Sequence, residues 1–103
     1  MLTIIETPIF QRMVHGVMDA GELAEFVTFI SNNPLAGNVI PGVGDLRKVR
    51  WSRQGMGKRG GARVIYFNRL ASGEVVLVAA YAKAKFDNIP ITVLKMWKEA
   101  YDG

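Results

Sequence analysis

The run from Val75 to Ala82 is the longest apolar stretch in the chain, rich in β-branched residues and free of charge. Such a segment reads as a strand at the centre of a sheet, since an edge or half-exposed strand would alternate with polar residues. It is far shorter than the ~20 residues a membrane-spanning helix needs. Upstream, Ala62 to Arg69 is a second β-branched and aromatic run, and Ala71-Ser72-Gly73 between the two is turn chemistry. The chain has 103 residues, half of them hydrophobic, which suffices for one core and no more. A single domain over residues 1–103 is expected.

The absence of cysteine excludes disulfide scaffolds and thiolate zinc sites, and a single histidine, His15, excludes imidazole-rich metal sites. No metal or cofactor is expected. His15 itself has the character of a helix-end or surface residue more than of a general base. Met1 to Phe10 has no cationic leader, and Glu6 and Pro8 interrupt it, so a secretory signal is not expected and the address is cytoplasmic.

Leu2 to Glu6 favours a strand, and Thr7-Pro8 supplies a cap and a first-position proline for a helix with Phe10, Met13, Val14 and Val17 on one stripe. Asp19 and Glu22 form a capping-box pattern ahead of Leu23, Phe26, Val27 and Ile30. With Phe10 and Phe26 facing inward, a monomer is expected when the chain is free. Leu35 to Asp45 is loop chemistry, with Val39 and Ile40 as candidate anchors to the core. Leu46 to Trp51 alternates as a strand, with Lys48 and Arg50 on one face and Val49 and Trp51 on the other. Pro90 and Thr92 introduce a last helix carrying Leu94, Trp97 and Tyr101. The predicted fold class is therefore α+β: a small, mostly antiparallel sheet with two N-terminal helices packed on one face, and a C-terminal helix. With the helices on one side, the other sheet face is expected to be open for binding.

Charge is distributed unevenly. Between Arg47 and Arg63 lie seven cations and no acid, whereas the rest of the chain holds six basic and nine acidic residues. A concentrated cationic stretch in an otherwise acidic domain points to a local polyanion site, the alternative being a solvated basic loop. Gly55 to Gly61, with Lys58 and Arg59 inside it, lacks the spacing and the Lys-Ser/Thr pair of a nucleotide-hydrolysing loop. Phosphate contact through glycine N–H groups and flanking cations fits it better.

Asn33-Pro34, Gly37-Asn38-Val39-Ile40-Pro41-Gly42, Leu46-Arg47-Lys48-Val49-Arg50, the block from Gly57 to Tyr66, and Tyr81-Ala82-Lys83 together resemble the RelE superfamily of bacterial toxins, and within it the HigB-type branch. The resemblance runs in order over nearly the whole chain. It implies a RelE-like fold and the toxin of a type II toxin–antitoxin system: an mRNA interferase that cleaves messenger on the ribosome, in the bacterial cytoplasm. It also implies a cognate antitoxin, expected to be of helix-turn-helix type. Lys48 and Arg50 match the basic strand pair of the family's RNA-binding concavity, Arg63 the arginine opening the next strand, and Lys83 the basic residue ending the last one. Lys58 and Arg59 belong to a loop that is longer in this branch. Where the family often carries an arginine and then a tyrosine or histidine, this chain reads Ala84-Lys85-Phe86-Asp87-Asn88-Ile89-Pro90. Either Lys85 and Tyr81 substitute for those groups, or catalysis rests on Lys and Arg alone, or the nuclease is weakened.

The chemistry implied is metal-independent attack of the ribose 2′-hydroxyl on the adjacent phosphorus, giving a cyclic phosphate and a free 5′-hydroxyl. The protein must align the nucleophile, accept its proton, neutralise the phosphate oxygens and protonate the leaving oxygen. One histidine cannot supply both acid and base. Lys48 as base, Lys83 or Lys58 as acid, and Arg63 as transition-state stabiliser are the expected catalytic set, with Arg47, Arg50, Arg53, Arg59, Tyr81 and Lys85 contacting RNA. Two other readings compete: a non-nucleolytic ParE-like toxin acting on a protein target such as gyrase, and a non-catalytic RNA-binding module.

Overall fold

The computed structural model describes residues 2–51, 61–83 and 89–102. Thr3–Glu6 is β1, Pro8–Val14 is α1, Ala20–Asn32 is α2, Asn38–Val39 is β2 and Arg47–Trp51 is β3. Ala62–Arg69 is β4, Glu74–Ala82 is β5 and Ile91–Asp102 is α3. A 3-10 turn over Leu70–Ser72 leads into Gly73, whose left-handed φ of 70° closes the β4–β5 hairpin.

Local chemistry sets the helix starts as the sequence predicts. Thr7 caps α1 by accepting the Phe10 N–H at 3.2 Å, and its hydroxyl donates to the Leu77 carbonyl at 2.9 Å, so the cap also ties the helix to the central strand. Asp19 and Glu22 make the reciprocal capping box at the start of α2.

The five strands run in the order β1-β5-β4-β3-β2, with β1 parallel to β5 and every other pair antiparallel. β4 and β5 are the central pair, and residues 62–67 and 75–81 are buried. Under α1 and α2 lies one apolar layer, in which Phe10, Val14, Phe26 and Ile30 meet Val49, Val64, Tyr66 and Leu77. The opposite face carries a second layer, in which Leu94, Trp97 and Tyr101 of α3 meet Ile65, Phe67, Val76 and Val78. The expectation that all helices share one face, leaving the other open, is thus corrected. Ile65, Phe67, Val76 and Val78 are too apolar a surface to leave in water, and α3 covers it.

Three details depart from the sequence reading. Met13 leaves the α1 stripe and packs into the second layer. Val39 is 52% exposed, so of the two expected anchors Ile40 alone packs inward, beside the buried Val43 of the same loop. Residues 38 and 39 form a short edge strand where a loop was expected.

A β-bulge interrupts the β4–β5 ladder. Ile65 pairs with Ala79 and Tyr66 with Leu77, which leaves Val78 as the extra residue. Val78 and Ala79 consequently both face the second layer, and side-chain parity along β5 reverses beyond that point. Tyr81 is thereby turned to the face that Arg63 occupies.

Candidate nucleic-acid interface

The second sheet face is apolar beneath α3 and cationic beyond it. Period-two geometry puts Lys48 and Arg50 of β3 on that face, and strand register sets Arg50 opposite Arg63 and Arg63 opposite Tyr81. Lys83, two residues past Tyr81, is held by its N–H donating to the Gly61 carbonyl at 3.2 Å. Lys48, Arg50, Arg63 and Lys83 line a single open cleft of about 560 Å³, together with Asn38 and Phe29. Of the four expected catalytic residues, the fold therefore brings Lys48, Arg63 and Lys83 together, with Arg50 beside them. Lys58, Arg53 and Arg59 lie outside the described residues, as does Lys85.

Electrostatics make this cleft a place for an anion. Like charges directly opposite on adjacent strands repel, and Arg50 and Arg63 hold that relation. Arg63 is only 7% exposed, and the Ala62 carbonyl, at 3.3 Å, is one of the partners of its guanidinium. A phosphate between such forks relieves the repulsion and adds charge-assisted hydrogen bonds. Burial pushes the Tyr81 hydroxyl above its ordinary range, and the neighbouring Arg63 charge pulls it only partly back. Tyr81 is therefore a neutral hydroxyl at physiological pH.

Not every expected contact residue faces the cleft. Tyr81 lines an adjoining apolar cavity of about 420 Å³, with Ile40, Ile65, Ile89 and Leu94, and Lys48 forms the wall shared by the two spaces. Arg47 sits opposite Tyr66 on the other face of β3, and its guanidinium donates to the Gly37 carbonyl at 2.7 Å. Its charge is engaged in holding the segment before β2. Strand alternation next to Lys48 carries that signal, because neighbouring residues point to opposite faces. His15 is exposed at the C-cap of α1 and does not line the cleft.

The sequence reading missed Asn38 and Phe29 as cleft residues. Asn38 is placed by a set of buried contacts around Tyr66. The Tyr66 hydroxyl accepts the Gly37 N–H at 2.8 Å and donates to the Pro34 carbonyl at 2.8 Å, which also accepts from Asn68 at 2.9 Å. Gly37 is required there, since a Cβ would come within 2.9 Å of both the Lys48 carbonyl oxygen and the Tyr66 ring. Phe29 reaches the cleft from α2 and packs its ring 5.4 Å from that of Trp51.

No family model matches the chain. Among solved structures, it is similar to an arginine-substituted double mutant of the Escherichia coli toxin RelE in the free state, with a TM-score of 0.63 and 10% identity over 94% of this chain and 96% of that one. A crystal structure of the isolated E. coli RelE toxin gives a TM-score of 0.56 at 11% identity, over 97% of this chain and 99% of that one. The conserved hypothetical protein HP0892 from Helicobacter pylori gives 0.58 at 19% identity, over 82% of this chain and 98% of its own. At such identities the likeness concerns the backbone, and on that ground the chain has the RelE fold.

Proposed function

We propose that this protein is the toxin of a type II toxin–antitoxin system, of the HigB-type branch, acting as a ribosome-dependent mRNA interferase. The observation that carries the reading is the convergence of Lys48, Arg50, Arg63 and Lys83 on one cleft of a RelE-like fold. Four donor-only cations match a phosphodiester whose non-bridging oxygens gain charge in the transition state. Arg50 and Arg63 stabilise that charge as fixed forks. Lys48, once it has lost its ammonium proton to solvent, accepts the 2′-hydroxyl proton as the neutral amine, and Lys83 as the ammonium delivers one to the leaving 5′-oxygen, which needs no histidine. Translated messenger is the favoured substrate, since ribosomal RNA shapes it, and a cognate antitoxin restrains the toxin in the cytoplasm.

The test is to map messenger 5′ ends after brief expression of the parent chain and of Arg63→Ala. Cleavage at positions in frame with translation, falling by about two to three orders of magnitude in rate in the variant, is the expected outcome. Inhibited growth with intact messenger points instead to a protein target, as for a ParE-like toxin.

A further inference from the structure

We infer that Thr7 is a positioning residue of this cleft: its hydroxyl pins the bulge in β5 that puts Tyr81 and Lys83 on the face of Arg63. The inference rests on reading the cleft as an RNA site and adds to that reading a residue that does not line it.

β5 cannot choose its own register by side-chain pattern. From Val75 to Ala82 it carries no charge on either face, so a one-residue slip mostly exchanges one apolar group for another. The consequence falls on the end of the strand. Without the extra residue, the pairing of Tyr66 with Leu77 would run on to set Ala80 opposite Arg63 and Tyr81 opposite Ala62. Tyr81 and, two residues on, Lys83 would then share the face of Ala62, in the layer beneath α1 and α2. With Val78 bulged, Tyr81 stands opposite Arg63 instead, and Lys83 lines the cleft.

A polar contact stands where the bulge needs one. Thr7 is 4% exposed, and its hydroxyl is shared between the carbonyls of Leu77 at 2.9 Å and Val78 at 3.2 Å, at the irregularity itself. In a regular strand successive carbonyls point to opposite sides, so one hydroxyl could not reach both. The contact therefore belongs to the bulged form. Its direction is fixed as well: Oγ1 accepts the Phe10 N–H at 3.2 Å, which leaves the hydroxyl proton to the carbonyls, and the Thr7 N–H donates to Leu77 at 3.2 Å.

The experiment reads two things on the full chain: binding of a labelled single-stranded RNA pentamer across salt concentrations, and the cross-strand NMR contacts of Arg63. Thr7→Val keeps the shape and removes the hydroxyl. It is expected to bind the RNA about tenfold more weakly, with the slope of log affinity against log salt shallower by about 0.7, as Lys83 leaves the phosphates. Thr7→Asp keeps the helix cap but, as a carboxylate, has no proton to donate. In both variants the contacts of Arg63 are expected to move from Tyr81 to Ala80. Thr7→Ser restores the hydroxyl and is expected to match the parent. Asp19→Ala removes the other helix cap, so it is expected to lower the melting temperature and leave affinity, slope and contacts unchanged. Parent-like contacts in folded Thr7→Val or Thr7→Asp overturn the inference, and so does an equal loss of binding in Asp19→Ala. Where neither Thr7 variant folds, the parent decides: a Thr7 hydroxyl proton protected from solvent exchange supports the pin, and one exchanging too fast to be seen overturns it. The RNA reading is scored separately. Contacts that move to Ala80 in the variants of a parent that binds no RNA sink the cleft reading and leave the pin standing, and RNA binding by a parent whose variants keep its contacts does the reverse.

Discussion

The two faces of the sheet are made by alternate residues of the same strands, yet they are finished differently. Beneath α1 and α2, Val49, Val64, Tyr66 and Leu77 meet helix side chains along the strands, and the layer is closed. On the reverse, the same strands present Ile65, Phe67 and Val76 to α3 and then, past its reach, Lys48, Arg50 and Arg63. One face is built for cohesion alone. The other gives up cohesion at one end to hold cations close together, an arrangement that suits an anionic ligand.

The largest effect that separates the faces should come from the closed one. Phe26 is fully buried against α2's neighbours and stacks edge-on to Trp51 at 5.4 Å. Phe26→Ala is expected to cost about 3–5 kcal/mol in denaturant unfolding, through lost transfer energy and a cavity. If the variant unfolds at the parent's midpoint, the first layer is not the cohesive face.

Next in size is the contact set that joins the faces. Removing the Tyr66 hydroxyl strands the buried Gly37 N–H and leaves the Pro34 carbonyl with Asn68 alone. Tyr66→Phe is expected to lower stability by about 1–3 kcal/mol. Unlike Phe26→Ala, it should also loosen the segment carrying Asn38, visible as faster amide exchange at Gly37 and Asn38 than elsewhere in the sheet. Uniform exchange would separate Tyr66 from the cleft.

These elements differ in how far the sequence disclosed them. The caps at Thr7 and Asp19 and the hairpin strands Ala62–Arg69 and Glu74–Ala82 rest on local chemistry, and they fall where the residues predict. Lys48 and Arg50 are legible as one face because Val49 and Trp51 alternate with them. Tyr81 is not legible in the same way. A run apolar on both sides shows no alternation, so nothing in it marks Val78 as the bulged residue that reverses parity. Leu94, Trp97 and Tyr101 announce a packed helix without saying which layer it joins. Asn38 escapes because a two-residue strand has no period, and its place is set by Tyr66, 28 residues away in sequence.

A smaller effect bears on the loaded face directly. If Arg50 and Arg63 repel, an anion that bridges them should stabilise the folded chain beyond general screening. Inorganic phosphate is expected to raise the melting temperature over chloride at equal ionic strength. About 1 kcal/mol corresponds to roughly 4–8 °C for a domain of this size. Arg63→Leu should remove the difference. A phosphate effect that survives Arg63→Leu would move the anion site elsewhere.

The mildest contrast is alkaline. Tyr66 under the first layer and Tyr81 on the second face are both held above the ordinary phenol value of 10.0, chiefly by burial. A raised folded-state value means that the folded chain keeps its phenolic protons where the unfolded chain has begun to lose them. Stability is then independent of these groups below pH 10 and falls as pH rises through the folded values. The compensating charges differ: Tyr66 is eased by the Gly37 N–H and by Arg47, Tyr81 by Arg63. Arg63→Leu should therefore steepen the alkaline loss of stability through Tyr81, and Arg63→Leu combined with Tyr81→Phe should restore a shallower slope. Identical slopes in the single and double variants would mean that Tyr81 and Arg63 do not share a field, and the row running from Arg50 to Tyr81 would end at Arg63.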